Sequence, residues 1–376
     1  MISILIGLAF HRATVQFVGD GNHLKGIYVN GACILGDDIR TGGGYLIGSA
    51  DGSDAQGRSV NSIGGSGGRM LSDNPRLVTP PRYRMDWQLK GPNRVAFAVS
   101  VGPVDQDFAT ISFPFDFGLK SMESFSFDGS EFKLFCSEND GVVKKNESSY
   151  AAIRPKCEIR DIKQNLIGKV AGASTEAPTL NARVDGPYAT VDFKVTSSKH
   201  YEKLVFMNHP GTHNIEFSFG RMKKGESAAL SGELVVTPKA GPDSWTFEAI
   251  PEFNHQVGRA EADGWSVRVG DERERYMCFG PYATEIGSGP RTAIFRLMLD
   301  NVSFDNAQIL TIDVADAVSQ RVLATRDLSR GDFARPMEYQ AFALPFLAPP
   351  GGRLEFRTLW HGASYAREKD LTVRKG

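Results

Sequence analysis

Short runs of alternating apolar and polar residues, separated by tight turn signals, constrain the fold of this chain most strongly. The segment Ile215 to Phe219 alternates with a period of two, which is typical of a strand with one buried face. Leu24 to Val29 and Ala32 to Leu35 flank Asn30-Gly31, a dipeptide that supplies the positive φ angles of a type I′ hairpin turn. Because such segments recur along the chain, the sequence predicts an all-β, sandwich-like fold.

The charge balance limits the partners of the chain. Lys and Arg total 43 and Asp and Glu total 44, so the formal net charge is -1. A nucleic-acid-binding protein usually carries a basic excess or stripe, so we expect no nucleic-acid partner. No apolar run reaches the ~18 residues of a membrane helix, and no polybasic segment is present, so we expect no membrane partner. The apolar segment Ile2 to Phe10 is short, and we interpret it as a buried strand rather than a signal peptide.

The four cysteines do not form a disulfide framework in a chain of this length. Cys33, Cys136, Cys157 and Cys278 include no C-x-x-C pair, so zinc-site spacing is absent. Cys136 and Cys157 fit either a disulfide between neighbouring strands or two buried thiols. The cysteine pattern therefore does not decide the cellular compartment, and we slightly favour an extracellular or periplasmic location over a cytoplasmic one.

A hydrophilic stretch from Arg259 to Arg275 divides the chain into two predicted domains. A length of 376 residues fits two domains. We predict a large β-sandwich, supersandwich-like domain at residues 1–262 and a jelly-roll β-sandwich at residues 275–376. One weak helical window runs from Asp161 to Val170, and Gly168 interrupts it.

From Tyr276 onward the strand pattern is unusually regular. The successive motifs are Phe279-Gly280-Pro281-Tyr282, Ala293 to Leu299, Ile312-Asp313-Val314, Gln340 to Phe346 and Leu354 to Arg357. This series resembles the jelly-roll carbohydrate-binding modules of bacterial carbohydrate-active enzymes. The resemblance covers about the last 100 residues and implies an oligosaccharide or polysaccharide partner. Alternation independently places Phe295, Leu297 and Leu299 on one face of a strand and Arg296 on the other.

Glycan binding requires an aromatic platform for the sugar ring and polar groups for its hydroxyls. In the C-terminal module the candidates are Tyr282, Arg296, Arg357, Trp360 and Tyr365, although Tyr282 and Trp360 fit core or inter-domain packing equally well. Asp300, Asn301 and Asp313 supply the oxygen ligands that a structural calcium ion favours, and ordinary turn chemistry explains Asp300-Asn301 as well. No other cofactor is expected.

The N-terminal part ends in a strand, a Lys223 to Glu226 turn and another strand, between Asn214 and Val236. This arrangement resembles the end of the supersandwich domains of galactose mutarotases and of domains in many glycoside hydrolases and polysaccharide lyases. The mutarotase family uses a His acid and a Glu base on a concave sheet. No motif in this sequence matches either residue, so the resemblance assigns no catalytic residue here.

Polar clusters in the N-terminal part supply the candidate catalytic and substrate-binding residues. Adjacent carboxylates, as at Asp37-Asp38, raise each other's pKa and suit acid–base work, whereas a solvated turn is the plainer interpretation. Histidine titrates near neutrality, which suits proton transfer by His209 and His213. The catalytic candidates are Asp37, Asp38, His209, His213 and Glu252, and the substrate-binding candidates are Arg40, Arg82, Tyr83, Trp245 and His255.

The absence of several motifs narrows the function. The sequence has no Gly-x-Ser-x-Gly elbow, His-Glu-x-x-His helix, dinucleotide fingerprint or phosphate-binding loop, which disfavours serine-triad, zinc-peptidase, nicotinamide and ATP chemistry. We predict a carbohydrate-active enzyme of the hydrolase, lyase or epimerase type, with its cleft in the N-terminal domain. A non-catalytic glycan-binding protein and a β-sandwich assembly subunit stay open as alternatives, as does a homo-oligomer.

Overall fold

The computed structural model describes most of the chain after residue 13. The described residues are 14–20, 23–36, 51–56, 59–61, 81, 83–118, 121–127, 130–137, 142–143, 152–153, 156–161, 163, 166–170, 174–177, 180–209, 212–250 and 252–376. Over these residues the chain forms thirty antiparallel strands and a single 3-10 turn, Arg330–Asp332. The all-β prediction is therefore confirmed.

Two nine-stranded sheets form the N-terminal part. Sheet A follows the order β1-β2-β3-β8-β19-β18-β15, with β4 and β5 attached at β8. Its strands are β1 (Val15–Asp20), β2 (His23–Val29), β3 (Ala32–Gly36), β4 (Asp51–Asp54), β5 (Ser59–Asn61), β8 (Phe108–Gly118), β15 (Ser174–Ala177), β18 (Lys203–His209) and β19 (Thr212–Met222). The central strands β8 and β19 are eleven residues long each, and they position the polar residues described below.

Sheet B follows the order β14-β13-β10-β9-β16-β17-β20-β7-β6. Its strands are β6 (Tyr83–Gly91), β7 (Arg94–Val101), β9 (Ser124–Phe127), β10 (Ser130–Ser137), β13 (Lys156–Asp161), β14 (Leu166–Val170), β16 (Asn181–Asp185), β17 (Ala189–Lys199) and β20 (Ala228–Pro238). A separate two-stranded sheet, sheet C, pairs β11 (Val142–Val143) with β12 (Ala152–Ile153). The helical window at Asp161 to Val170 is wrong, because β13 and β14 pair across that segment.

Phenylalanine rings fill the space between sheets A and B. Phe115 of β8 contacts Phe97 of β7 and Phe193 of β17, with ring centroids 5.8 and 4.9 Å apart. Phe217 of β19 packs beside Phe115 at 5.6 Å. These four rings are at most 2% exposed, so burial of their apolar area stabilises the sandwich.

The C-terminal part is a sandwich of a six-stranded and a four-stranded sheet. Sheet D contains β21 (Ser244–Glu248), β22 (Arg259–Glu261), β23 (Gly264–Val267), β25 (Gly289–Leu299), β28 (Gln340–Ala348) and β30 (Ala366–Lys375). Sheet E contains β24 (Arg275–Ala283), β26 (Gln308–Asp316), β27 (Arg321–Ser329) and β29 (Leu354–Trp360). The predicted alternation in β25 is confirmed, because Phe295, Leu297 and Leu299 are fully buried and Arg296 is exposed.

The C-terminal sheets begin earlier in the chain than the sequence pattern suggests. Strand β21 pairs with β30 from Ser244 to Glu248, and β23 pairs with β30 through Trp265. These strands lie before Tyr276, where the regular motifs start. We therefore propose a domain boundary between β20 and β21, rather than at residues 262–275.

Polar contacts join the two parts of the chain. Cys33 N of β3 donates to the Thr284 carbonyl at 2.9 Å, and Ser288 N donates to the Asn30 carbonyl at 3.2 Å. The indole Nε1 of Trp245 donates to the buried Tyr188 hydroxyl at 2.6 Å. The β2–β3 hairpin therefore lies against the loop between β24 and β25.

Two sequence interpretations concern individual strands. Asn30 and Gly31 have φ angles of 52° and 81°, as a type I′ turn requires. The register of β10 and β13 places Cys136 directly opposite Cys157, which is the neighbouring-strand arrangement that a disulfide between them needs. A disulfide between Cys136 and Cys157 stays a prediction.

Candidate functional site

Several predicted N-terminal site residues lie outside the described residues. These are Asp37, Asp38, Arg40 and Arg82. His209 is the last residue of β18, where its backbone pairs with that of Thr212. Tyr83 begins β6, is 7% exposed and packs edge-on against Phe113 with ring centroids 6.0 Å apart.

His213 lies inside the N-terminal sandwich rather than on its surface. It lies on the same face of β19 as Ile215 and Phe217, and this face packs into the core. The centroid of its ring is 6.0 Å from that of Phe206. Complete burial lowers the pKa of His213 to about 4, so the imidazole is neutral at pH 7. This position favours a packing role over proton exchange with a substrate.

Glu252, His255 and Trp245 belong to the start of the C-terminal sheets. Glu252 Oε2 accepts a hydrogen bond from Glu248 N at 2.9 Å. The His255 ring stacks on Trp265 at 3.5 Å, and its Nδ1 donates to the Met277 carbonyl at 2.6 Å. Burial lowers the pKa of His255 to about 4. Trp245 is 5% exposed and bonded to Tyr188, so its ring is part of the packing between the two parts of the chain.

The C-terminal candidates are divided between the two sheets of the module, with Arg296 on sheet D and Tyr282 and Trp360 on sheet E. Trp360 is fully buried and donates to the Ser364 carbonyl at 2.9 Å, so it presents no face to solvent. Arg296 forms a two-pronged ion pair with Asp370. Tyr282 has a φ of 64°. Burial raises the pKa of Glu355, and a hydrogen bond with Tyr282 opposes part of that increase.

The residues proposed for calcium have other partners. Asp313 accepts from Arg357 Nε at 2.6 Å, and Asp300 accepts from Ser364 Oγ at 2.7 Å. Asn301 Oδ1 accepts from the backbone N–H groups of Ser303 and Phe304, which is the turn chemistry considered from the sequence. Over the described ranges, no group of three or more His, Cys, Asp or Glu side chains is arranged to hold a metal ion. The calcium ion stays a prediction.

The face of sheet A that points away from the aromatic core carries buried polar side chains. On β8 the core residues Phe113, Phe115 and Phe117 alternate with Ser112, Pro114 and Asp116, and on β19 Ile215 and Phe217 alternate with Asn214, Glu216 and Ser218. We call the set the polar face: Ser112, Asp116, Asn214, Glu216 and Ser218. Its members are 2–5% exposed. Polar groups are seldom buried without a partner or a function, so this face is the strongest candidate site in the N-terminal part.

Strand register brings two carboxylates of the polar face together. Asn214 is paired with Asp116, so Glu216, two residues further along β19, is the diagonal neighbour of Asp116 on the same face. The backbone positions of diagonal neighbours in an antiparallel pair lie about 7–8 Å apart, so both carboxyl groups project from neighbouring positions of one face. Glycoside hydrolases likewise use two neighbouring carboxyl groups.

Neighbouring side chains orient the polar face. Ser112, opposite Ser218 in the register, donates its hydroxyl to Glu216 Oε2 at 3.0 Å. Within the part of the chain that the structure describes, the buried Asn214 Oδ1 accepts no hydrogen bond. A ligand hydroxyl placed at the polar face would supply the missing donor.

Sequence reasoning missed Asp116 and Glu216. The alternation at Ile215 to Phe219 predicts a strand with one buried face and assigns no role to Glu216. The available signal was a charged residue within each of two long strands that contain several phenylalanines. Only the pairing of β8 with β19 shows that both carboxylates share one face.

The comparisons with known proteins give distant similarities. No protein-family model matches the sequence, and no curated protein matches it. A candidate aldose 1-epimerase from Escherichia coli K12 is 11% identical, with 60% of this chain and 100% of that chain covered and a TM-score of 0.32. An exo-beta-1,3-galactanase from Phanerochaete chrysosporium is 8% identical, with 96% and 95% covered and a TM-score of 0.26.

A third similar structure is the CBM22 tandem domain from Paenibacillus barcinonensis, at 10% identity, with 78% of this chain and 91% of that chain covered and a TM-score of 0.26. The neighbours thus include the two kinds of protein that the sequence resembles. Similarity at this level assigns no activity to the chain. Among the described residues, no helix is both long and apolar enough to cross a membrane.

Proposed function

We propose that the chain is a carbohydrate-active enzyme whose reaction takes place on the polar face of sheet A. The observation that carries the proposal is the diagonal pair Asp116 and Glu216 on adjacent central strands. Buried carboxyl groups in this arrangement can divide the roles of proton donor and proton acceptor or nucleophile. The resemblance of the C-terminal motifs to carbohydrate-binding modules supports a glycan as the substrate.

The surroundings of the two carboxyl groups suggest a division of roles. Glu216 accepts a hydrogen bond from Ser112, and an accepting carboxylate suits a base or nucleophile. Asp116 would then carry the proton for the leaving-group oxygen. Asn214, paired with Asp116, would orient a substrate hydroxyl. The same pair could serve a lyase or epimerase, because both reactions move a proton at a sugar carbon or ring oxygen.

Substitution of the two carboxylates tests the proposal. Activity is measured on a panel of aryl glycosides, polysaccharides and free aldoses for the unmodified chain, D116N and E216Q. Each substitution is expected to lower kcat/KM by about 100-fold or more, since general acid–base catalysis contributes about 10²–10⁴-fold. Glu233→Gln on β20 of sheet B is the matched control and should retain activity.

Two results would count against the enzyme proposal. One is a substrate that D116N and E216Q turn over as fast as the unmodified chain does, with circular dichroism verifying that both variants are folded. The other is glycan binding with no turnover over the whole panel.

A specific surface favours the second candidate function, non-catalytic glycan binding. On sheet E, the Arg357 guanidinium lies 5.3 Å from the Tyr276 ring centroid and is ion-paired with Asp313. Burial raises the pKa of Glu355, which lies 3.7 Å from Arg357. An aromatic ring beside polar groups is a combination that favours saccharide binding. Tyr276→Ala should weaken glycan binding about tenfold if this surface is the main site, and should leave it unchanged otherwise.

A further inference from the structure

A concave site lies in the C-terminal sandwich, separate from the polar face of sheet A. It is a cleft of about 480 Å³ bordered by the end of β21, the β22–β23 hairpin and β30. Glu248, Glu261, Asp263 and Lys369 contribute its polar groups, and Ile250 contributes an apolar wall. Its volume falls within the roughly 300–1,000 Å³ of small-molecule sites.

The backbone holds the walls of this cleft in place. Gly264 has a φ of 154°, and a Cβ atom there would lie 2.2 Å from the Glu368 carbonyl oxygen. Glycine is therefore required for the hairpin to approach β30. On the other wall, Ala249 N donates to the Lys369 carbonyl at 3.0 Å. A cleft fixed by backbone contacts loses little entropy when a ligand binds.

All three carboxylates interact with arginine side chains, and Glu248 is coupled electrostatically to Arg296. Asp263 accepts from Arg367 at 2.5 Å. Glu261 lies 3.5 Å from Arg259 and accepts the Ser266 hydroxyl at 2.7 Å. Both groups retain lone pairs for further hydrogen bonds, because a carboxylate has about four acceptor sites. The cleft therefore offers acceptors without a large net charge.

Lys369 supplies the donor of the cleft. Its ammonium lies 5.8 Å from the Tyr339 ring centroid, a cation–π contact that positions the side chain. The Tyr339 hydroxyl donates to the Asp263 carbonyl at 3.2 Å, which ties the ring to the hairpin. Among the described residues Lys369 forms no ion pair, so its N–H groups remain available.

We infer that this cleft binds a neutral, hydroxyl-rich ligand, a saccharide unit whose hydroxyls donate to Glu248 and Glu261 and accept from Lys369. The three carboxylates in the lining disfavour an anionic ligand, and Lys369 with the nearby arginines disfavours a cationic one. The inference rests on the proposed carbohydrate function and adds a binding site that is independent of Asp116 and Glu216.

Calorimetry on the full chain tests the inference. The probes are cellotetraose, xylotetraose, laminaritetraose and mannotetraose, with a galacturonic acid trimer and a glucosamine trimer as charged comparators. Lys369→Met and Glu248→Gln should each weaken binding of a neutral probe by about tenfold or more, because hydrogen bonds to charged groups are the strong ones. Lys90→Met, an exposed lysine on β6, is the matched control and should bind normally.

The outcomes separate this inference from the proposed enzyme. Binding that Lys369→Met and Glu248→Gln both leave unchanged overturns the cleft, even where D116N and E216Q abolish turnover. Binding lost in the cleft variants, with no turnover on any substrate, supports the cleft and overturns the enzyme. Preferential binding of a charged comparator, or no binding of any neutral probe, overturns the inferred ligand class.

Discussion

The carboxyl group of Glu368 is fully buried on β30, beside Cys278 of β24 and Thr358 of β29. Burial raises its pKa from 4.5 to about 7, because a carboxylate loses its hydration in the interior. Between these two pH values the folded chain holds a proton that the unfolded chain has released. The contribution of Glu368 to the stability of the C-terminal sandwich should therefore fall as pH rises from about 4.5 to about 7, and it should stay constant above pH 7.

Replacing this group should remove that pH dependence. A shift from 4.5 to about 7 corresponds to about 3 kcal/mol. Glu368→Gln should therefore raise the free energy of unfolding by up to about 3 kcal/mol at pH 8 and by little at pH 4. Urea unfolding at both pH values measures this, with the exposed Glu131→Gln as the control. An equal effect of Glu368→Gln at both pH values would contradict the argument.

The β2–β3 hairpin shows what local sequence can and cannot predict about an element. Asn30-Gly31 predicted the turn, because few residues other than glycine and asparagine adopt positive φ angles easily. No local sequence pattern indicates that Gly31 packs closely against the distant Ser288. A Cβ atom at Gly31 would lie 2.9 Å from Ser288 N. Such long-range contacts depend on how the sheets pack, which local patterns do not encode.

A pair of glycine substitutions separates these two effects. Gly31→Ala places alanine at a φ of 81° and brings its Cβ atom against Ser288. Gly225→Ala places alanine at a similar φ of 89°, but its Cβ atom has no neighbour within 4 Å. The unfavourable φ alone costs about 1–2 kcal/mol. Gly31→Ala should therefore destabilise the chain more than Gly225→Ala by about 1 kcal/mol or more in thermal unfolding. Equal losses would show that the hairpin and the β24–β25 loop separate easily.

At the scale of the whole molecule, the sequence predicted the strand content better than the strand pairing. Alternation was sufficient for the all-β class and for the buried face of β25. The polar face depends on the pairing of β8 with β19, which joins Ser112 and Glu216 across 104 positions. The C-terminal sheet likewise depends on pairing of β21 with β30. Period-two patterns identify faces, but they do not identify the neighbouring strand.

The last prediction concerns where the C-terminal unit begins. A fragment of residues 275–376 lacks β21, β22 and β23 and loses Phe247 and Val267, both fully buried, together with Trp245 and Phe253. Full burial of one such apolar side chain is worth about 1.5–3 kcal/mol, and losing β21 and β23 also leaves β30 unpaired along one edge. We expect residues 242–376 to unfold cooperatively in calorimetry and residues 275–376 to aggregate or to lack a transition. A fragment of residues 258–376, which keeps the β22–β23 hairpin but lacks β21, should be intermediate. Equal midpoints for the fragments that start at 242 and 275 would restore the boundary near residue 275.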